Sequence, residues 1–201
     1  MSGADISTVL GDMGLSPDAG ELDSFEKYAD LLSEWGKVHN LTGDLDRERI
    51  YENIADSLYP VSFVPEPESM IDIGSGAGFP GLVLAIHWRG CGRVVLCEPR
   101  AKRASFLRYA VIELGLESVE VARKRVEDLK SAPFGLICSR AVTETSTLFS
   151  IAGHLADEKS SFLLYKGSRL DRELKKSGSE SDCLIHSRGA RNYLYCPATD
   201  K

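Results

Sequence analysis

Two hydrophobic rhythms divide the chain. Between Phe25 and Leu58 apolar positions recur every three or four residues, Phe25, Tyr28, Leu31, Leu32 and Trp35 forming one stripe and Ile50, Ile54 and Leu58 another. That spacing predicts two amphipathic helices whose stripes, Trp35 included, face a core. Ser16-Pro17-Asp18 opens a helical segment, and Ser24 suits the cap of a longer helix. Asn40-Leu41-Thr42 makes a turn before a second helix over 47–58. Residues 1–16 carry weak signals, either a short helix or a partly ordered lead. Pro60, Pro65 and Pro67 then interrupt the chain.

From residue 69 the rhythm changes to short apolar runs separated by helical stretches. Strands are predicted at 70–73, 93–98, 118–121, 134–138 and 161–165, with helices over 82–88, 101–114 and 143–156. Gly115 is a natural helix stop, and 183–186 with 193–196 suit a final antiparallel pair. This alternation predicts an α/β fold, a doubly wound, mostly parallel sheet with helices on both faces. Residues 1–64 are expected as a helical extension packed on a core of residues 65–201, one structural domain in all.

The first strand runs into Asp72-Ile73-Gly74-Ser75-Gly76-Ala77-Gly78-Phe79-Pro80-Gly81. Glycine at alternate places allows positive φ and lets a ligand press against the main chain. Pro80 suits a first helical position, beyond which free N–H groups point into the loop. Read as Gly76-x-Gly78-x-x-Gly81, the segment fits a dinucleotide fingerprint. Read as Asp72-x-Gly74-x-Gly76-x-Gly78, it fits a loop for S-adenosylmethionine (SAM). Asp72 would repel a pyrophosphate but could hold the cationic amino-acid end of SAM, so the second reading is favoured. Glu98 closes the second strand 24 residues after Gly74, where this fold places a ribose-binding carboxylate. Arg125 to Asp128 and Ser139-Arg140 fall at further strand ends, so four stretches converge on one cleft.

Composition narrows the setting. The 201 residues are 43% apolar and 27% charged. No run approaches the roughly 18 apolar residues of a membrane span, and no basic-then-apolar leader opens the sequence. Five cysteines form no C-x-x-C pair. Cys97 and Cys138 lie in apolar strands, as reduced, buried thiols would, and the cytoplasm is the expected compartment. Four scattered histidines give no metal spacing. The net charge of −6 is unevenly spread, with thirteen acids against four bases in residues 1–60. Bases gather at Arg100, Lys102, Arg103 and Arg108, at Arg123, Lys124 and Arg125, and from Lys166 through Arg169, Arg172, Lys175 and Lys176. Such clusters steer polyanions, although solvated helix faces carry them too.

The loop after the fourth strand limits the chemistry. Enzymes that methylate exocyclic amines of bases usually carry an Asp/Asn-Pro-Pro-aromatic tetrad there, and this chain has Ser139-Arg140-Ala141-Val142. Cytosine-C5 enzymes use a cysteine that often follows proline, whereas Cys138 follows Ile137 inside the strand. What remains includes a ring nitrogen with a free lone pair, such as guanine N7.

Trp35 with Asn40-Leu41-Thr42, Asp56-Ser57-Leu58, Asp72 through Gly81, Glu98, Arg125-Val126-Glu127, Ser139-Arg140-Ala141 and Lys166-Gly167 complete a pattern. It resembles the ribosomal small-subunit methyltransferase G family, also called glucose-inhibited division protein B, over roughly residues 30–170. The resemblance implies a Rossmann-like SAM-dependent methyltransferase fold and methylation of guanine N7 in 16S rRNA near the decoding site. It implies SAM as cofactor and 16S rRNA or a small-subunit precursor as partner; a monomer with neither metal nor membrane is expected. By the same resemblance Gly74 and Phe79 line the methionine and ribose side, with Gly76 and Gly78 in their loop. Val126 and Glu127 hold the adenine, and Arg140 sits beside SAM near the target base as the catalytic residue. Arg125 and Lys166 face RNA. One departure stands out: the histidine usual three places before the Asp-Ser pair is Asn53 here. Other readings are a SAM enzyme acting on a small molecule or protein, an RNA-binding module without catalysis, and a nicotinamide dehydrogenase.

Overall fold

The computed structural model describes residues 5–39, 46–140, 143–167, 170 and 183–198. Three helices come first: α1 (Ile6–Gly11), α2 (Ala19–His39) and α3 (Arg47–Leu58). α2 is one continuous helix. Asp18 caps it by accepting the Glu21 N–H at 2.8 Å, while Ser24 lies inside the helix and donates to Gly20 O. An interior hydroxyl folds back on its own helix in this way, so Ser24 caps nothing. α3 has the expected bounds, Asp46 accepting from the Arg49 N–H at its start. The turn expected at Asn40-Leu41-Thr42 lies outside the described residues.

The strands are β1 (Ser69–Ile73), β2 (Arg93–Cys97), β3 (Val119–Ala122), β4 (Leu136–Arg140), β5 (Ser161–Lys166), β6 (Leu184–Arg188) and β7 (Arg191–Cys196). Helices α4 (Gly81–His87), α5 (Ala101–Glu113) and α6 (Thr145–Ala152) lie between them. The seven strands order as β3-β2-β1-β4-β5-β7-β6. β1 to β5 pair in parallel, and β7 inserts antiparallel between β5 and β6. The tail therefore extends the main sheet and is not a separate hairpin. The sequence spacing missed a Cys183–Cys196 disulfide that links the two strands of this tail. Cys91, Cys97 and Cys138 are free and buried.

Parallel strands buried on both faces read as continuous apolar runs, and successive residues divide between two cores. Met70, Val94, Leu96 and Leu163 pack with Phe25, Tyr28, Ile54, Leu82 and Phe106 from α2 to α5. Ile71, Ile73, Val95, Ile137 and Leu164 pack on the other side with Phe134, Leu148 and Leu155. Trp35 is only partly buried, its ring 5.7 Å from Phe106 and 5.6 Å from Tyr109. The fourth strand starts two residues later than expected because the Phe134 N–H leaves the ladder for Leu155 O. α6 is shorter than the predicted 143–156 and runs into a 3-10 turn at Gly153–Leu155. Strand order reverses at β1 and β4, so the crevice beyond their carboxyl ends is where such sheets bind ligands.

Candidate active site

The loop after β1 turns by positive φ at Gly74 (75°), Gly76 (60°) and Gly78 (110°). The Gly74 N–H donates to Cys97 O at 2.8 Å, tying the loop to the end of β2. The buried Tyr28 hydroxyl donates to Ala77 O at 2.8 Å, so α2 supports the loop from beneath. Gly78 is needed for packing: a Cβ there would lie 2.8 Å from the Tyr28 hydroxyl oxygen. Gly81 starts α4, one residue after the Pro80 expected to do so. It is needed more severely, since a Cβ would lie 2.4 Å from Asp72 Cβ and 2.7 Å from Leu96 Cδ2.

Asp72 departs from its expected role. It is 0% exposed, and its Oδ2 accepts the Gly81 N–H at 3.0 Å. The side chain follows the strand alternation onto the α4 face, where it anchors that helix. Burial pushes its carboxyl up to about 7, against the hydrogen bonds of Ser75 and Gly81.

Above the loop lies a cleft of about 570 Å³ that brings together Gly74, Glu98, Arg125, Val126, Glu127 and Arg140. Glu98 is 3% exposed. Its Oε2 accepts the Gly76 N–H at 3.0 Å and its Oε1 the Arg100 N–H at 2.8 Å. Each oxygen keeps a further lone pair for a ligand hydroxyl. Gly76, Gly78 and Phe79 do not line the cleft. The Phe79 ring packs 5.5 Å from Tyr28, with the Arg140 guanidinium carbon 5.8 Å from its centroid. Arg100, Arg103 and Lys124 do line the cleft. The sequence marks all three as bases without placing them in the site.

Arg140 ends β4, and its side chain is 15% exposed. Nη2 donates to Asn53 Oδ1 at 2.6 Å and lies 3.2 Å from Asp56 Oδ2. Nη1 is buried with no hydrogen-bond partner among the described residues. Burial lowers its pKa, and the Asp56 carboxylate opposes that. Tyr193 and Arg191 reach the same carboxylate from β7. Nothing in the sequence singles out these two residues beyond alternation along a strand of unknown neighbours.

Lys166, expected to face RNA, points inward. It is 9% exposed, and its ammonium donates to Thr143 O at 2.9 Å. As the last residue of β5 it keeps the burial of the strand end. Arg125 is exposed at the start of a 3-10 turn on the cleft rim. The basic residues Arg169, Arg172, Lys175 and Lys176 lie outside the described residues. Among the described residues no group of His, Cys, Asp or Glu could hold a metal, and no helix is long and apolar enough to cross a membrane.

The residues present fit SAM. A carboxylate held by two backbone N–H groups faces the cleft beside a loop free of bulky side chains. A buried N–H of Arg140, which also lines the cleft, has no acceptor among the described residues. With β7 inserted between β5 and β6, this fold and site define a SAM-dependent methyltransferase. Solved structures agree on the fold. A SAM-dependent methyltransferase from Aquifex aeolicus superposes with a TM-score of 0.60 at 15% identity, covering 84% of this chain and 98% of that one. Cofactor-bound Rv0187 from MTB gives 0.64 at 18% identity over 98% and 99%.

Sequence carries the assignment further. The sequence model of the GidB family, rRNA small subunit methyltransferase G, matches residues 21–197. The ribosomal RNA small subunit methyltransferase G of Aliarcobacter butzleri is 46% identical over 170 residues, 85% of this chain and 87% of that protein. That of Wolinella succinogenes is 44% identical over 174 residues, 87% and 88%. The chain belongs to the GidB family.

Proposed function

We infer that the chain transfers a methyl group from SAM to guanine N7 of 16S rRNA, acting as a cytoplasmic monomer on the RNA or a small-subunit precursor. Membership of an rRNA methyltransferase family carries this reading, and the cations at the cleft rim support a polyanionic substrate. SAM, when bound, supplies a methyl group on a positively charged sulfur. N7 offers its lone pair without losing a proton, so the protein's work is alignment and exclusion of water. Glu98 accepts from the ribose hydroxyls, Val126 and Glu127 border the adenine, and Gly74 leaves room for the methionine end.

Arg140 stands where the base enters. Arginine stays protonated in proteins and serves as no base. Positive charge passes from sulfur to the purine, so a nearby guanidinium gains little electrostatically. Its value is in holding the guanine edge or an adjacent phosphate in line. Arg125 contacts the RNA backbone from the rim, joined there by Arg100, Arg103 and Lys124. Lys166 supports the fold beneath the site.

Labelled methyl incorporation into naked 16S rRNA, small subunits and lysate protein tests the reading. The product is 7-methylguanosine, at which reduction and aniline cleave the RNA. Label on an exocyclic amine, a ribose, a small molecule or a protein overturns it. Arg140→Ala keeps the fold and loses most turnover. Arg140→Lys does not restore it, because the planar fork is absent.

A further inference from the structure

The Arg140 guanidinium is too buried to stay in the cleft on its own account. Removing a charge from water costs several kcal/mol unless a partner compensates, and a long side chain escapes that cost by swinging outward. Asp56 is the carboxylate that faces it. α3 presents this residue within a buried run from Ile54 to Leu58, where its side chain is only 11% exposed. Its Oδ2 lies 3.2 Å from Arg140 Nη2, and its Oδ1 accepts the Tyr193 hydroxyl at 2.8 Å. Arg191 Nε approaches Oδ1 at 3.5 Å from a half-exposed position. The Nη2 hydrogen bond itself goes to Asn53 Oδ1, and Asn53 is fixed because its Nδ2 donates to Arg49 O at 2.8 Å. Asn53 thus gives the guanidinium its direction, and Asp56 gives it a countercharge. Both act on Nη2, while the buried Nη1 has no hydrogen-bond partner among the described residues.

We propose that Asp56 is a positioning residue for methyl transfer, holding Arg140 inside the cleft, and that Tyr193 of β7 holds Asp56 in turn. This rests on the reading of Arg140 as the residue that orients the base. The chain of contacts links three segments distant in sequence: α3, the end of β4 and the C-terminal strand. It gives the tail strand a part in turnover without contact to SAM or RNA.

The test is a mutant cycle on the full chain, measuring kcat, KM for 16S rRNA, SAM affinity and melting temperature. Asp56→Asn keeps the shape and an acceptor for Tyr193 while removing the charge. It lowers kcat on the order of 100-fold, the scale of a misaligned reacting group, and leaves SAM affinity within about twofold. Combined with Arg140→Ala it costs no more than Arg140→Ala alone, because a residue acting through another adds nothing once that one is gone. Wild-type kcat in a folded Asp56→Asn protein, or additive losses in the double variant, overturns the proposal and leaves the Arg140 reading standing. Full turnover in Arg140→Ala overturns that reading, and this inference with it. If Asp56→Asn does not fold, Tyr193→Phe decides. A reduced kcat with unchanged SAM affinity supports the tether, and wild-type kcat overturns it.

Discussion

The sheet has an open cleft at each end of its strands, and the two differ in almost everything but size. The one beyond the carboxyl ends holds about 570 Å³, and the one at the amino ends about 440 Å³. The first is lined by Arg100, Arg103, Lys124 and Arg125, with Gly74 and Glu98 among them. The second is walled by Pro65, Pro67 and Pro133, with Glu66, Glu68 and Asp157 against a lone Lys159. Parallel strands impose this polarity. Each βα connection starts a helix at the carboxyl end of its strand, so N–H groups of α4 and α5 lie at that end. Helix carbonyls and acids face the other, where an anionic substrate gains nothing. Volume alone does not mark the site.

The most damaging way to break this contrast is at the start of α4, where the glycine loop ends. Gly81→Ala forces a Cβ against Asp72 and Leu96, and overpacking of this kind costs about 1–3 kcal/mol or more. Denaturant titration should show that loss, together with loss of SAM binding by calorimetry. An alanine variant as stable as the parent would refute the close helix–strand packing.

Next comes the charge buried under the loop. Asp72 has its carboxyl raised from 3.8 to about 7. The folded chain therefore keeps a proton that the unfolded chain releases as pH climbs between those values. Stability contributed by Asp72 is greatest below about pH 4 and falls until about pH 7. The loss amounts to a few kcal/mol, since each tenfold difference in proton affinity between the folded and unfolded chain is worth about 1.4 kcal/mol. Melting curves across pH 5–8 should slope downward for the parent and flatten for Asp72→Asn. Parallel profiles would show that Asp72 does not titrate in that window.

Glu98→Ala sharpens the contrast at the wall of the cleft. It should weaken SAM by roughly 1–3 kcal/mol, the worth of a charge-assisted hydrogen bond. The loop N–H of Gly76 loses its acceptor at the same time, so stability falls as well. Equal affinity for SAM would remove Glu98 from the ribose.

The smallest expected effects compare the two rims directly. Arg125→Ala should reduce the salt dependence of RNA binding by about one counterion and leave SAM affinity intact. Glu66→Gln, at the opposite end, should stay within about 0.5 kcal/mol of the parent in stability and match it in both ligands. If the two substitutions affect RNA binding alike, the upper rim is not the RNA-facing surface.

Much of this molecule can be read from local pattern. The bounds of α3 follow from Ile50, Ile54 and Leu58, and the burial of β1 and β2 from unbroken apolar runs. The glycine loop follows from a backbone that admits no Cβ. Glu98, Val126 and Glu127 reach the cleft because parallel strands deliver their carboxyl ends to one side, a rule of topology that spacing alone can invoke. Periodicity reports which faces are buried, and that is a property of neighbours along the chain.

Tertiary structure decided what each polar side chain touches. Asp72 and Lys166 both sit at strand ends beside the site, and sequence assigned each to a ligand. Register turned Asp72 toward Gly81 and Lys166 toward Thr143 O. Asp56 meets Arg140 only because α3 lies by the end of β4, and Tyr193 only because β7 enters between β5 and β6. A charge buried by its own helix or strand must find its partner on another element. Which element that is depends on the strand order of the whole sheet, and no local run of residues encodes it.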